Sequence, residues 1–345
     1  MSSAGARRLT GSVPSDKLFV MPTRREFLAA TALPAVVTAM PNPAAGETIR
    51  AVVAADGSCE FQTIQRAVDH VLDHPPENVG RVILEIRPGV YRERLKVPQD
   101  SPRVTLAGSD PASTVITYGM GAAAAGGTFF SPVVEVDGAA FEAVNITFEN
   151  SFGVGTQAVA LSLHSDRAVF RNCRFSGWQD TLYAASGRHY YRDCFIEGHV
   201  DFIFGNAAAV FDRCEIHSRG SGYLTAHRRT RSDEPTGFVF RDCKLTGAAA
   251  AAEGSGTFLG RPWRSSARVV FLNCWMGGHI RPEGWDNWNR TVANEKTAWF
   301  AELGSSGPGA DAAGRVAWAR TLTPTAARAF APEIFLQGSD GWNPV

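Results

Sequence analysis

Hydrophobic and polar positions repeat along the middle of this chain as one short phrase, in which β-forming residues precede a polar pair and a cysteine. The phrase occurs as VFRNC (169–173), YYRDC (190–194), VFDRC (210–214), VFRDC (239–243) and VFLNC (270–274). Successive cysteines are 21, 20, 29 and 31 residues apart. A repeat of this length with strand composition is typical of a solenoid in which each coil adds one layer to a stack.

The repeat predicts an all-β fold, a right-handed parallel β-helix. Leucine-rich and ankyrin-type repeats have similar periods, but their leucine and helical patterns are absent from this sequence. The 34 glycines and the turn residues between apolar runs fit short strands joined by bends. One segment, residues 60–73, instead has the apolar spacing of a helix. We predict that it forms a short helix capping the N-terminal end of the solenoid, where strand edges would otherwise be bare.

The first 45 residues differ from the rest, and we interpret them as an export signal. Arg24 and Arg25 are adjacent and precede the apolar stretch LAATALPAVVTA (28–39). Paired arginines before such a stretch are typical of bacterial twin-arginine signals. The stretch is too short for a stable membrane span. Residues 1–45 are therefore predicted to direct export to the periplasm or outside the cell, and residues 46–345 to form a single β-helix domain.

Charge gives no indication of a macromolecular partner. The chain has 34 Lys and Arg against 34 Asp and Glu, so its formal net charge is zero. No basic cluster suggests nucleic-acid binding, and no cationic amphipathic segment suggests a membrane surface. The partner has to be inferred from candidate chemistry.

Two aspartates occupy the same place in consecutive repeats. Asp180 and Asp201 each lie seven residues after the cysteine of their phrase. Because neighbouring strands lie about 4.8 Å apart, the two carboxylates are expected to stack on one face. Such a pair cannot ionise freely unless a cation intervenes, so it can supply an acid and a base. A solvated turn pair or a calcium site is the alternative on spacing alone, but the aromatic surroundings favour catalysis.

The segments around these aspartates resemble the pectin methylesterase, or pectinesterase, family. QAVAL (157–161), GWQDTLY (177–183), GHVDFIFGN (198–206) and LGRPW (259–263) occur in the family's order. The resemblance extends from roughly residue 47 to the C-terminus. It implies an enzyme that hydrolyses methyl esters of galacturonate in pectin and releases methanol, without a metal or organic cofactor. We expect a monomer, because a solenoid that acts on a long polymer needs an open cleft.

The resemblance also implies roles for five polar residues. Asp201 matches the nucleophile, which forms an acyl-enzyme, and Asp180 matches the general acid that then serves as base. Arg261 matches the arginine that would keep Asp201 ionised through a charge-assisted hydrogen bond. Gln157 and Gln179 match the side-chain amides that donate to the oxyanion.

The predicted substrate contacts are mostly aromatic, because the apolar face of a sugar ring stacks on aromatic side chains. They are Thr128, Gln157, Tyr183, Phe202, Phe204, Arg261, Trp263 and Trp285. The resemblance implies such roles for Thr128, Trp263 and Trp285. Strand alternation predicts that Phe202 and Phe204 face the cleft, and that Ile203 points into the core.

Three other functions remain open on the sequence. An esterase of the same fold could act on another esterified polysaccharide. A retaining glycosidase also places two carboxyl groups about 5 Å apart, although the family segments argue against it. A non-catalytic carbohydrate-binding β-helix would be expected to have lost Asp180, Asp201 or Arg261.

The repeated cysteines are predicted to form a column of buried thiols. A metal site is disfavoured because CxxC pairs are absent and the eight histidines are scattered. Equivalent positions one coil apart are within disulfide reach, so a bridge between Cys194 and Cys214 is a hypothesis.

Overall fold

The computed structural model describes residues 46–74, 78–253 and 255–345, and the predicted export signal lies outside them. The strands are short and follow in chain order as β1 (Glu47–Val53), β2 (Val79–Ile86), β3 (Gly89–Arg92), β4 (Leu95–Val97), β5 (Val104–Gly108), β6 (Thr114–Tyr118), β7 (Val134–Val136), β8 (Glu142–Val144), β9 (Thr147–Asn150), β10 (Leu161–Leu163), β11 (Ala168–Arg171) and β12 (Arg174–Ser176). They continue as β13 (Leu182–Ala184), β14 (Arg188–Arg192), β15 (Phe195–Gly205), β16 (Ala208–Asp212), β17 (Glu215–His227), β18 (Gly237–Arg241), β19 (Lys244–Gly247), β20 (Thr257–Pro262), β21 (Arg268–Leu272), β22 (Trp275–Met276), β23 (Trp299–Leu303) and β24 (Arg320–Thr321).

Helices are few and short. They are α1 (Ile64–Asp73), α2 (Ala122–Ala125), α3 (Ala249–Glu253), α4 (Val292–Thr297), α5 (Pro324–Ala327) and α6 (Pro332–Phe335), with 3-10 turns at Thr128–Phe130, Ala312–Gly314 and Arg328–Phe330. In the described ranges, no helix has the length and apolar character needed to cross a membrane.

Helix α1 is the predicted capping helix. It begins at Ile64 rather than Glu60, because the Thr63 hydroxyl caps it by accepting a hydrogen bond from the Arg66 N–H. The Glu93 carboxylate accepts from the Ile64 and Gln65 N–H groups, both at 2.9 Å. These bonds satisfy donors that have no partner within the helix. The buried face of α1 packs into the same core as the first coils.

The strands of successive coils pair in parallel and stack into three faces. The first face is the sheet β1-β2-β5-β8-β11-β14-β16-β18-β21-β23-β24. The second stacks β3, β6, β9, β12, the first halves of β15 and β17, β19 and β22. The third stacks β4, β7, β10, β13, the second halves of β15 and β17, and β20. This arrangement confirms the predicted right-handed parallel β-helix.

The repeated phrase supplies a column of stacked rings inside the solenoid. Its five copies lie on β11, β14, β16, β18 and β21 of the first face. The second residue of each copy is fully buried and aromatic: Phe170, Tyr191, Phe211, Phe240 and Phe271. Neighbouring ring centroids are 5.0, 4.6, 4.6 and 4.5 Å apart in chain order. Stacked pairs contribute about 0.5–1.5 kcal/mol each beyond the area they bury, so the column adds to the core's stability.

The polar pair of the phrase marks the bend from the first face to the second. The residue before each cysteine has a left-handed backbone, with φ between 49° and 54°: Asn172, Asp193, Arg213, Asp242 and Asn273. Asn and Asp adopt this conformation more readily than other residues with a side chain, which explains their frequency here.

The five repeat cysteines are buried and unpaired, which confirms the predicted thiol column. Each thiol lies close to a carbonyl of the preceding coil, as in the 3.7 Å contact from Cys194 Sγ to Phe170 O. Cys194 and Cys214 are both free thiols, so the hypothetical bridge between them is not formed.

Replacing Phe240 by alanine should lower the free energy of unfolding by about 3–5 kcal/mol, because it removes a buried ring and leaves a cavity in the column. Denaturant unfolding followed by circular dichroism measures the change. The control is Phe130→Ala, since Phe130 is 66% exposed and should change stability by less than about 0.5 kcal/mol. Equal losses in both variants would contradict a stabilising role for the column.

Candidate active site

Asp180 and Asp201 lie at equivalent positions of consecutive coils, where the chain turns from the second face to the third. Two residues further on, Leu182 pairs with Ile203. The Asp180 N–H donates to the Val200 carbonyl at 3.1 Å. Both aspartates have a left-handed backbone, with φ of 64° and 51°. This conformation is uncommon for residues with a side chain, and it breaks the strand alternation at the position where both carboxylates enter one cleft.

The cleft has a volume of about 320 Å³. It is lined by Thr128, Phe129, Gln157, Gln179, Asp180, Asp201, Phe204, Ala226, Arg261, Trp263 and Trp288. The structure therefore brings the five predicted polar residues together with Thr128, Phe204 and Trp263. Three predicted residues, Tyr183, Phe202 and Trp285, are not part of the lining.

Arg261 holds Asp201 with two hydrogen bonds. Its Nε donates to Oδ1 at 2.9 Å, and its Nη2 donates to Oδ2 at 2.7 Å. The guanidinium lies between two aromatic rings, with Cζ 3.9 Å from the Tyr223 centroid and 4.1 Å from the Trp288 centroid. Bidentate pairing and stacking both require the planar guanidinium, so lysine could not replace this arrangement.

The two aspartates differ in how firmly they hold a proton. Burial raises the pKa of Asp180 well above its usual value, the charge of Asp201 raises it further, and Arg261 opposes the shift. Burial also raises the pKa of Asp201, but the hydrogen bonds and charge of Arg261 lower it. Because Arg261 donates directly to Asp201, Asp180 is the member of the pair that keeps its proton to higher pH.

Gln157 and Gln179 are half-buried and come from consecutive coils. The Ala158 N–H donates to the Gln179 carbonyl at 3.0 Å, which fixes the two segments side by side. The Gln157 Oε1 accepts a hydrogen bond from the Thr156 hydroxyl at 3.0 Å. The NH₂ group of this amide remains available as a hydrogen-bond donor.

A short turn supplies Thr128 and Phe129 to the lining of the cleft. The turn follows Gly126 and Gly127, whose φ values of 86° and 144° strongly favour glycine. The Ser131 hydroxyl and N–H both donate to the Thr128 carbonyl, at 2.7 and 3.1 Å. The turn is thereby held over the cleft.

Aromatic side chains form the remaining wall. The Phe204 ring lies 6.0 Å from the Trp263 ring, and both line the cleft. Tyr183 stacks on Phe204 at 4.6 Å and contacts Phe129 at 5.1 Å. Tyr183 thus supports the wall from behind rather than lining it.

The prediction that Phe202 faces the cleft is wrong. Phe202 is fully buried in the solenoid core, together with Ile203, whose inward direction was predicted correctly. The left-handed backbone at Asp201 and the irregular pairing of β15 with β17 between Val200 and Ile203 interrupt the period of two. Strand alternation therefore fails at the residue after the bend.

The assignment of Trp285 to substrate stacking is also wrong. Trp285 is 1% exposed, stacks on Phe300 at 4.3 Å, and donates through Nε1 to Glu302 at 3.1 Å. The neighbouring Trp288 lines the cleft instead. The segment GWDNWN contains two tryptophans, and nothing in the sequence indicates which one is buried.

Sequence reasoning also missed Phe129 and Ala226 as lining residues. Phe129 directly follows the predicted Thr128, and this adjacency is the sequence feature that could have indicated it as a lining residue. Ala226 offers no chemical signal in the sequence.

The cleft combines the groups that acyl transfer requires. One carboxylate is hydrogen-bonded by an arginine that lowers its pKa, its neighbour has the more strongly raised pKa, and two amides line the same cleft. Among the described residues, no group of three or more His, Cys, Asp or Glu side chains is placed to hold a metal ion.

Comparison with known proteins agrees with this chemistry. The family model described as Pectinesterase matches residues 50–339. Pectinesterase 31 of Arabidopsis thaliana is 41% identical over 295 residues, which cover 82% of this chain and 91% of that protein. The structure of a pectin methylesterase from carrot matches with a TM-score of 0.80 and 36% identity, over 84% of this chain and 93% of that one. A pectin methylesterase solved in complex with a hexasaccharide matches with a TM-score of 0.73 and 28% identity, over 87% and 99%. The chain belongs to the pectinesterase family.

Proposed function

We propose that this protein hydrolyses the methyl esters of galacturonate units in pectin, releasing methanol and de-esterified pectin. Membership of the pectinesterase family supports this activity, as do the relatives named pectin methylesterase. The observation that carries the proposal is the buried pair Asp180 and Asp201, in which only Asp201 is held by Arg261. The protein is accordingly a carboxylic ester hydrolase.

In the first step, an oxygen of the Asp201 carboxylate attacks the carbonyl carbon of the methyl ester. The carbonyl oxygen of the ester becomes an oxyanion, to which Gln157 and Gln179 donate from their side-chain amides. One such donor typically contributes 10²–10³-fold to the rate. Collapse of the tetrahedral intermediate breaks the bond to the methoxy oxygen, and Asp180 gives its proton to the departing methanol. The galacturonyl group is then joined to Asp201 as an anhydride.

In the second step, the Asp180 carboxylate takes a proton from water as that water attacks the galacturonyl carbon. The same amides stabilise the second oxyanion. Its collapse breaks the anhydride and restores Asp201 as a carboxylate, while the new galacturonic acid releases its proton to solvent. Asp180 is again protonated, so the site is ready for another cycle.

Substrate orientation follows from the walls of the cleft. Trp263 and Phe204 offer aromatic surfaces against which the apolar face of a sugar ring can stack. Thr128 and Phe129 also line the cleft, and the Phe129 ring lies 6.5 Å from the Trp263 ring. The open cleft suits a polymer, and we retain the expectation that the protein acts as a monomer on methyl-esterified homogalacturonan.

We also infer that the protein works outside the cytoplasm, because its leader would direct it to the periplasm or out of the cell. The relative described above at 41% identity is a plant protein, so a bacterial source and twin-arginine export rest on the leader sequence alone.

Asp201→Ala should reduce methanol release from highly methylated pectin by at least ~10⁴-fold, because the nucleophile is removed. Methanol assay and circular dichroism separate lost chemistry from lost folding. Asp100→Ala is the matched control, since Asp100 is exposed and outside the cleft. Undiminished methanol release by Asp201→Ala would exclude the mechanism. Acetate from acetylated xylan would instead indicate another esterified polymer, and new reducing ends would indicate a glycosidase.

The pH dependence of kcat/KM should be bell-shaped. Asp201 must be ionised, so activity falls as pH decreases through its pKa, which burial raises above the ordinary value. Asp180 must be protonated, so activity falls as pH increases through its own, more strongly raised pKa. The two limbs report macroscopic values of the coupled pair.

Arg261→Gln should move the acidic limb to higher pH, because Arg261 lowers the pKa of Asp201. The pH profile of methanol release, measured beside that of Arg66→Gln on the exposed surface of α1, provides the check. An acidic limb that stays in place or moves to lower pH would show that Arg261 does not hold Asp201 ionised.

Twin-arginine export predicts that Arg24→Lys combined with Arg25→Lys retains the precursor in the cytoplasm of a bacterium with that pathway. Cell fractionation followed by mass spectrometry gives both the location and the N-terminus of the product. Export of the double variant at the wild-type level would exclude this route.

A further inference from the structure

The irregular segment after β22 brings a further carboxylate, Asp286, next to the strand that carries Arg261. Trp285 pairs with Gly260 of β20 as an isolated bridge, and the Asp286 N–H donates to the Gly260 carbonyl at 3.1 Å. Gly260 directly precedes Arg261. Asp286 is half-buried and is not part of the cleft lining. The mechanism proposed above gives it no role.

The Asp286 side chain fixes the backbone of Trp288. Its Oδ1 accepts a hydrogen bond from the Trp288 N–H at 2.7 Å, two residues further along the chain. Such turns are typical of aspartate and asparagine, because their short side chains reach this N–H. Trp288, Asn289 and Arg290 then have consecutive left-handed backbones, with φ of 62°, 56° and 62°. Tryptophan and arginine rarely adopt this conformation, so the hydrogen bond from Asp286 constrains an otherwise unfavourable bend.

This bend places the Trp288 ring against Arg261. The guanidinium Cζ lies 4.1 Å from the ring centroid, and the same guanidinium donates both hydrogen bonds to Asp201. A chain of contacts therefore leads from the Asp286 carboxylate through the backbone and ring of Trp288 to Arg261 and Asp201. Unfavourable backbone conformations are often retained near functional sites, where they fix the reacting groups in place.

Asp286 also acts on Asp201 through its charge. Burial raises the pKa of Asp201 and the charge of Asp286 adds to this rise, whereas Arg261 and His199 lower the pKa. The ionisable groups around Asp201 are thus Asp180, His199, Arg261 and Asp286. Removing the charge of Asp286 alone should lower the pKa of Asp201.

We propose that Asp286 is a positioning residue for ester hydrolysis, whose side chain holds Trp288 against Arg261 and so keeps Arg261 aligned with Asp201. This proposal rests on the pectin esterase function proposed above. The hydrogen bond and the charge of Asp286 can be tested separately. Asparagine keeps the acceptor oxygen and loses the charge, whereas alanine loses both.

The first test measures methanol release from highly methylated pectin as a function of pH. Asp286→Ala should lower kcat roughly tenfold or more, because a small displacement of Arg261 misplaces Asp201. Asp286→Asn should keep kcat within about twofold of the wild type, since its amide oxygen accepts the same hydrogen bond. The acidic limb of Asp286→Asn should move to lower pH, because the charge that raises the pKa of Asp201 is gone.

Asp110 provides the matched control. Its Oδ1 accepts from the Ala112 N–H at 2.8 Å in the same kind of turn, and it is exposed and outside the cleft. Asp110→Ala and Asp110→Asn should leave kcat and the pH profile unchanged. Circular dichroism establishes that each variant folds, and Asp286→Asn supplies the pH test even if Asp286→Ala does not fold.

The second test detects the alignment of Arg261 without turnover. The rings of Trp288 and Tyr223 should shift the Arg261 Nε–H signal in the NMR spectrum away from the signals of exposed arginines. Arg261→Gln identifies the signal by removing it. Asp286→Ala should move the signal toward those of exposed arginines, whereas Asp286→Asn and Asp110→Ala should leave it near its wild-type position.

A wild-type kcat together with an unmoved Arg261 signal in Asp286→Ala would overturn the positioning role. An equal loss of kcat in Asp286→Asn and Asp286→Ala would overturn it as well, because the hydrogen bond would then not be the cause. An acidic limb of Asp286→Asn that stays in place or moves to higher pH would refute the effect of the charge. If the wild type releases no methanol but Asp286→Ala moves the Arg261 signal, the proposed function fails and the positioning by Asp286 stands.

Discussion

The constant register between parallel coils is the constraint on which the rest of this structure depends. Each strand pairs with its equivalent one coil away, so any residue type repeated at one position becomes a column along the solenoid. The ring column and the thiol column in the core follow from this register. The same rule places Asp180 and Asp201 together, although they lie 21 residues apart in sequence. One geometric rule therefore builds both the core and the candidate active site.

The proposed mechanism requires that Asp180 and Asp201 differ in their affinity for a proton. Stacked carboxylates in similar burial would compete for protons and titrate as one system. Arg261 makes the two carboxylates different, because its guanidinium comes from a later coil and donates hydrogen bonds to both carboxylate oxygens of Asp201. The aromatic rings of Tyr223 and Trp288 pack against that guanidinium. Charge, hydrogen bonding and burial together support the proposed assignment of the nucleophile and the acid to different coils.

The rim of the cleft adds aromatic and cationic side chains to this pair. The exposed Phe129 ring lies 6.5 Å from the Trp263 ring, and Arg228 and Arg264 lie 5.3 and 5.6 Å from the same ring. Loops and strand ends, rather than the coils themselves, carry these residues, so they can differ among proteins that share the solenoid. Substrate preference is then separable from the chemistry that the stacked coils provide.

The sequence by itself determined the parts of this protein that follow from repetition. The cysteine phrase predicted the solenoid, its buried thiols and the shared position of Asp180 and Asp201, because register translates equal spacing into proximity. The resemblance in QAVAL, GWQDTLY, GHVDFIFGN and LGRPW added the polar residues that the cleft gathers.

Only the tertiary structure decided what happens where the repetition breaks. The left-handed bend at Asp201 sends Phe202 into the core, against the period of two. Trp285 is buried and Trp288 lines the cleft, because the irregular segment after β22 is set by packing against Phe300 rather than by any sequence period. Side-chain direction in a bend depends on backbone angles and on neighbours from distant coils, and a local pattern contains neither.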